Sequence, residues 1–136
     1  MALNKAYNQY KENSVFTSTP EELTLMLYNG LVKFIMLAQA GIDEGNMGKA
    51  NNSIIRAQDI VLYFQATLDM KYEVSEGLDQ IYDFMYRHLV EANIKKDKTR
   101  LEEVLGLARE LRDTWQKAMK LAKQRQPVAE QQQIAK

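Results

Sequence analysis

Apolar residues along most of the chain recur every three or four positions, which is the period of an amphipathic α-helix. Only two of the 136 residues are proline, and the alternation typical of strands is almost absent. We therefore predict an all-α fold with helices at 19–42, 49–68, 74–93 and 97–125. The connections are short, so the helices should form an antiparallel up-down-up-down four-helix bundle.

Local signals set some of these boundaries. Thr19 suits the N-cap of the first helix, Pro20 its first position, and Glu22 the third position of a capping box. Asn93 is a plausible C-terminal cap of the third helix. The sequence thus predicts where the first and third helices begin or end.

The segments outside the four helices differ in pattern. In residues 1–18, Leu3, Tyr7 and Tyr10 fall on one helical face, so we expect this N-terminal segment to dock on the bundle. Residues 126–136 have no periodicity, and we expect a mobile C-terminal tail. Residues 1–125 then form a single helical bundle domain.

Each of the last three helices carries one row of apolar residues that predicts the core. The rows are Ala50, Ile54, Ala57, Val61, Phe64 and Leu68; Leu78, Tyr82, Met85, Leu89 and Ala92; and Leu101, Val104, Leu105, Ala108, Leu111, Trp115, Met119 and Ala122. The fourth row places Trp115 in the core.

The first helix is apolar on two faces, and on length alone it qualifies as a membrane span. Thr24, Asn29, Lys33 and Gln39 interrupt it, so a deeply buried bundle helix is the better interpretation.

The second and third helices also carry apolar residues beside their core rows, although a bundle helix needs only about three apolar positions in seven. We interpret this surplus as a groove for an apolar helix of a partner protein. Seven methionines and seven tyrosines suit such an adaptable surface. The alternative is a scaffold bundle that buries the surplus by self-association. The predicted partner-binding residues are Tyr7, Tyr10, Ile55, Leu62, Tyr63, Ile81, Phe84 and Asn93.

The sequence offers little for catalysis. It has no cysteine and a single histidine, His88, which lacks a second ligand or a catalytic partner. The carboxylate pairs Glu21–Glu22 and Glu102–Glu103 suit the first turn of a helix. A di-metal bundle enzyme would need inward Glu/His motifs that are missing. We expect a protein that is not an enzyme, with no cofactor, metal or catalytic residue.

Charge argues against a nucleic-acid partner, because the 18 basic residues are balanced by 18 acidic ones. Basic residues do gather late in the fourth helix, at Arg109, Arg112, Lys117, Lys120, Lys123 and Arg125. They complement the helix dipole there, or they recognise an acidic partner segment.

Two stretches, YKENSV at 10–15 and TSTPEELTLMLYNG at 17–30, resemble the N-terminal signature of the flagellin export chaperones, the FliS family. Weaker matches follow in order at 57–60, 78–82, 89–93 and 111–115, so the resemblance covers about residues 4–120. Thr19 and Asn29 depart from the usual residues without touching an apolar contact.

This resemblance implies a cytoplasmic four-helix bundle that binds the disordered C-terminal segment of flagellin. The client would wrap around the bundle, which prevents premature polymerisation and keeps flagellin competent for flagellar type III export. The N-terminal segment would cover part of the groove until the client displaces it. The flagellar export gate and other export proteins are further expected partners. We expect no membrane insertion, and a monomer or a weak homodimer.

Overall fold

The computed structural model describes the backbone of residues 18–134 and the side chains of residues 18–125. Within that range the chain forms four helices: α1 (Pro20–Asp43), α2 (Met47–Thr67), α3 (Ser75–Lys95) and α4 (Lys98–Ile134). Each helix packs against its neighbour along the chain, and α4 closes the ring against α1. The predicted four-helix bundle is confirmed. Leu3, Tyr7 and Tyr10 lie outside the described residues.

The start of α1 is fixed by the predicted capping box. The Thr19 hydroxyl accepts a hydrogen bond from the Glu22 amide at 3.1 Å, and the Glu22 carboxylate accepts from the Thr19 amide at 3.4 Å. Pro20 occupies the first turn, where its missing N–H costs no hydrogen bond. These bonds satisfy donors that a helix leaves unpaired at its N-terminus.

The turn between α1 and α2 is tight, and α2 begins two residues earlier than predicted. Gly45 takes a φ of 71°, which favours glycine, and Asn46 caps α2 by accepting from the Lys49 amide at 3.0 Å. At Gly41 a Cβ atom would lie 2.8 Å from the backbone nitrogen of Ala50. Only glycine therefore lets α1 and α2 approach so closely here.

The prediction that Asn93 caps α3 is wrong, because α3 continues to Lys95 and Lys96 takes the left-handed cap position with φ 50°. The Asn93 side chain instead donates to the Asn51 side-chain oxygen of α2 at 2.9 Å. The Lys96 ammonium donates to both the backbone and the side-chain oxygen of Asn93, at 2.7 and 2.6 Å. Asn93 thus joins two helices rather than ending one.

The last helix is much longer than the others. Its 37 residues correspond to about 55 Å at ~1.5 Å per residue. It extends to Ile134, beyond the predicted end at residue 125, so the boundary was placed too early. The mobility of residues 126–136 stays a prediction.

The core consists of the predicted rows. Among the side chains at the bundle centre, Leu31, Ile35, Ile54, Met85 and Leu89 are fully buried. The row of α4 is buried from Leu101 to Ala108 and then emerges: Leu111 and Trp115 are half-buried, and Ala122 is exposed. Trp115 therefore lies at the margin of the core, because α4 runs past the end of the bundle.

α1 packs against both α2 and α4, as each helix of the ring packs against two neighbours. By length and composition α1 would be able to cross a membrane, with a mean hydropathy of 1.4 over its most apolar window. In the bundle, however, its buried residues come from both of its apolar rows, and they are Tyr28, Leu31, Val32, Ile35, Ala38 and Gly41.

Burial predicts the relative cost of two truncations. Leu89→Ala should lower the free energy of unfolding by ~2–5 kcal/mol, because it leaves a cavity in the closed centre of the bundle. Trp115→Ala should cost less, ~1–2 kcal/mol, because that ring is only partly buried at the margin of the core. Urea unfolding of both variants measures the difference. An equal or larger loss for Trp115→Ala would contradict this placement of the core.

Candidate peptide-binding surfaces

The groups that sequence analysis considered for catalysis are engaged in ordinary contacts between helices. His88 Nε2 lies 2.6 Å from a Glu103 carboxylate oxygen, which joins α3 to α4. The neighbouring Glu102 accepts from the Gln39 amide at 2.7 Å and joins α4 to α1. Among the described residues, no group of three or more His, Asp or Glu side chains is placed to hold a metal ion.

Exposed apolar side chains lie along three different seams between helices. The first is the seam between α2 and α3, which the Asn51–Asn93 hydrogen bond marks at one end. Ile55 and Leu62 follow Asn51 by four and eleven residues, so they lie on the same side of α2. Their side chains are 42% and 43% exposed, respectively. This α2/α3 seam carries two of the predicted partner-binding residues.

The second is the seam between α1 and α2, where the Arg56 guanidinium lies over the Phe34 ring, 5.6 Å from its centroid. Ile60 of α2 lies close to Gly30 of α1. A Cβ atom added at Gly30 would lie 3.5 Å from the Cδ1 atom of Ile60. Tyr63, seven residues after Arg56, lies on this side of α2 and is 45% exposed. The seam contains an apolar recess of about 430 Å³ lined by Leu23, Met26, Leu27, Asn29, Gly30, Lys33, Phe34 and Ile60.

The third is the seam between α3 and α4, marked by the His88–Glu103 contact. Phe84 stacks on the His88 ring with centroids 4.8 Å apart, and its side chain is 47% exposed. Ile81, seven residues before His88, lies on the same side of α3 and packs against the core margin.

The structure thus distributes the predicted residues over three seams instead of collecting them in one groove. Ile55 and Leu62 share the α2/α3 seam, Ile81 and Phe84 share the α3/α4 seam, and Tyr63 lies on the α1/α2 seam. Asn93 uses its amide within the bundle, and Tyr7 and Tyr10 lie outside the described residues. Any partner that contacts all these residues must pass around the bundle.

The sequence analysis missed a fourth feature, an open pocket at the end of the bundle where α2 meets α3. The pocket measures about 400 Å³, and we call it the end pocket. All four helices and the connection before α3 contribute to its lining, which consists of Thr24, Tyr28, Phe64, Thr67, Leu68, Asp69, Tyr72, Val74, Ser75, Leu78, Tyr82, Leu111, Thr114 and Trp115. Trp115 is held here by donating its indole N–H to the Glu21 carbonyl at 3.0 Å.

Three stacked rings form the inner wall of the end pocket. Phe64 lies between Tyr28 and Tyr82, with centroid distances of 4.5 and 5.5 Å, respectively. The hydroxyls of Tyr28 and Tyr82 are hydrogen-bonded to each other at 2.7 Å. Burial raises the pKa of both phenols, and for Tyr82 the bond to Tyr28 raises the pKa further. Both tyrosines therefore stay protonated, as neutral hydrogen-bonding groups.

This tyrosine pair predicts a loss of stability in alkali. An unfolded tyrosine releases its proton near pH 10. The folded pair holds its protons to higher pH, so its contribution to stability is complete below about pH 10 and is lost as the pH rises above it. Unfolding by urea between pH 8 and 11 measures this loss. The Tyr82→Phe variant should lose stability less steeply than the wild type, and an unchanged slope would contradict the effect.

A helical bundle with apolar surface on several seams has the features of a protein that binds apolar segments of other polypeptides. Comparison with known proteins narrows the class. The family model of the flagellar protein FliS matches residues 3–122. The chain belongs to this family.

Relatives from several bacteria agree with the family assignment. The chain is 46% identical to the flagellar secretion chaperone FliS of Bacillus subtilis over 119 residues, which is 88% of this chain and 90% of that protein. It is 30% identical to the flagellar secretion chaperone FliS of Salmonella typhimurium, over 82% of this chain and 85% of that protein. The chain is 27% identical to the flagellar secretion chaperone FliS of Vibrio cholerae, over 82% of this chain and 84% of that protein.

Proposed function

We propose that this protein is a cytoplasmic chaperone that binds the disordered C-terminal segment of flagellin. Binding prevents premature polymerisation and keeps flagellin competent for flagellar type III export. The observation that carries the proposal is that large apolar side chains on three seams of one small bundle are 42–47% exposed. These side chains are Ile55, Leu62, Tyr63 and Phe84. The names of the relatives, flagellar secretion chaperones, supply the biological setting.

The spacing of these side chains favours an unfolded client. Two adjacent helices lie ~10 Å apart, so the bundle is ~20 Å across, and the half circumference that joins the first seam to the third measures roughly 30 Å. An extended chain covers ~3.3 Å per residue, so about 10 residues reach from the first seam to the last. A folded domain would meet one or two seams only. A disordered segment with short helical pieces meets all three.

Because the client is disordered, the chaperone can hold and release it by reversible binding, without a chemical step. A disordered segment loses conformational freedom on binding, so its affinity is limited and reversible. The bound segment is withdrawn from polymerisation by mass action. Release then requires only a competing partner, and we propose that the flagellar export gate and other export proteins supply it.

We also propose that residues 1–17 cover the recess on the α1/α2 seam until the client displaces them. The described chain begins at Ser18, whose hydroxyl donates to the Met26 sulfur at 3.5 Å. Met26 lines the recess, so Ser18 lies at its edge. Leu3, Tyr7 and Tyr10 share one helical face and give the segment the apolar side that such a cover needs.

Charged substitutions on separate seams test the client-binding proposal. Leu62→Asp and Tyr63→Asp should each weaken binding of a flagellin C-terminal fragment at least tenfold, ~1.4 kcal/mol, because each replaces exposed apolar contact with a charge. Isothermal titration calorimetry measures the affinities, and circular dichroism of the mixture should show added helix. Ala66→Asp is the matched control, since it adds the same charge at an exposed position without removing a large apolar side chain.

Two outcomes would contradict the proposal. If the flagellin fragment at tens of micromolar gives neither heat of binding nor added helix, flagellin is not the client. Self-association would then account for the apolar seams. Equal losses in the Ala66→Asp control and in the seam variants would show that charge alone, and not apolar contact, causes the weakening.

Deletion of residues 1–17 tests the cover. If the segment competes with the client for the recess, the deleted protein should bind the flagellin fragment as tightly as the full chain or more tightly. Binding of an apolar fluorescent dye should rise, with helix content of the bundle unchanged. Calorimetry of both proteins with the same fragment gives the comparison. A large loss of affinity on deletion would show that Tyr7 and Tyr10 contact the client directly.

A further inference from the structure

We infer that the end pocket and the acidic surface beside it receive one large apolar side chain of the client together with a neighbouring basic residue. This inference rests on the proposed function and specifies a sequence preference for one client position. It concerns a part of the molecule whose lining contains none of the predicted partner-binding residues that the structure describes.

The end pocket has the size and lining of a site for a single side chain. Its volume of about 400 Å³ lies within the ~300–1,000 Å³ range of ligand pockets. The Tyr28, Phe64 and Tyr82 rings form one wall, and Leu111 and Trp115 face them from α4. The buried part of α4 stops at Ala108, so the core leaves this space unfilled.

The hydroxyl pair gives the pocket one hydrogen-bond donor to offer. Tyr28 and Tyr82 hold two hydroxyl hydrogens, and their mutual bond uses one of them. Among the residues that the structure describes, no other oxygen accepts a hydrogen bond from either hydroxyl. A client backbone carbonyl that enters with its side chain would accept it. The pocket therefore suits an apolar residue with its peptide group better than a hydrocarbon alone.

A second recess adjoins the end pocket and is acidic. It is lined by Met70, Lys71, Tyr72, Glu73, Glu76 and Asp79, and it shares Tyr72 with the end pocket. Among the described residues, Glu73, Glu76 and Asp79 take part in none of the ion pairs. Lys71 is the one basic residue in the lining, so negative charge dominates.

Charge complementarity therefore identifies the occupant. Consecutive residues of a chain lie ~3.8 Å apart at their Cα atoms, so a residue next to the apolar anchor reaches the acidic recess while the anchor stays in the pocket. An arginine or lysine there meets the carboxylates of Glu73, Glu76 and Asp79, which form no ion pair within the described part of the chain, whereas a glutamate would be repelled. Lys117 is the first basic residue after Trp115 on α4, and it lines neither the end pocket nor the acidic recess. The described part of α4 therefore brings no positive charge into either lining.

Three blocked dipeptides test the inference on the full-length protein: acetyl-Phe-Arg-amide, acetyl-Phe-Gln-amide and acetyl-Phe-Glu-amide. Trp115 is the only tryptophan and lines the pocket, so its fluorescence reports occupancy directly. We expect saturable changes with dissociation constants that rise at least threefold from Arg to Gln and again from Gln to Glu. The Arg preference should shrink in 1 M salt, where charges are screened within ~3 Å. Equal affinities, or no response to any peptide, would overturn the inference.

Two sets of variants test the roles of the end pocket and of the acidic recess independently. Thr114→Phe fills the end pocket from α4 and should abolish the fluorescence response. Thr99→Phe, on an exposed threonine in the first turn of the same helix and outside the lining of the end pocket, should keep it. The double change Glu73→Gln and Glu76→Gln should remove the Arg preference, and Glu110→Gln should retain it. Equal melting temperatures establish that each variant is folded. A response retained in Thr114→Phe would overturn the pocket assignment.

The flagellin fragment distinguishes failure of this inference from failure of the proposed function. If the fragment binds wild type and Thr114→Phe with equal affinity, the client does not use the end pocket, while the chaperone function stands. A tenfold or greater loss for Thr114→Phe, with Thr99→Phe unaffected, supports the inference. Absence of fragment binding to the wild type refutes the proposed function and this inference together.

Discussion

The closed ring of four helices buries one side of each helix, and this geometric constraint determines what is left for binding. Side chains of the central rows, such as Ile54 and Leu89, are fully buried because they point to the common axis. Apolar residues one position off those rows, such as Ile55 and Phe84, fall on the seams and keep 42% and 47% of their surface exposed. The fold therefore generates several apolar seams as soon as its helices carry more than one apolar row.

This arrangement suits a chaperone for a disordered segment better than a site for a small ligand. A small ligand needs convergent groups in one place, whereas the exposed residues here lie on different sides of the bundle. Each seam contributes a modest apolar contact, and a chain that passes over several of them adds these contributions together. Under the proposed function, the client is held without being folded into a compact domain, which is the condition that would keep a subunit ready for export.

Local features of the fold were predictable from the sequence, because local chemistry determines them. The capping box at Thr19 and Glu22 and the apolar rows depend on residues three or four positions apart. The end pocket was not predictable, since its lining comes from all four helices and from the relation of α4 to the others. Asn93 was misread for the same reason: its partner, Asn51, lies 42 residues away. The distribution of the predicted binding residues over three seams depends likewise on how the helices are rotated about their axes relative to one another.

Hydrogen exchange of the backbone amides, with and without a flagellin C-terminal fragment, tests the central claim most directly. A client that passes around the bundle should slow exchange in α2 near Leu62 and in α3 near Phe84, and also along the α1/α2 seam near Gly30. The fully buried centre near Leu89 exchanges slowly in either state and serves as the internal reference. Protection at all three seams is the predicted result. Protection confined to one seam, or none at all, would contradict the account.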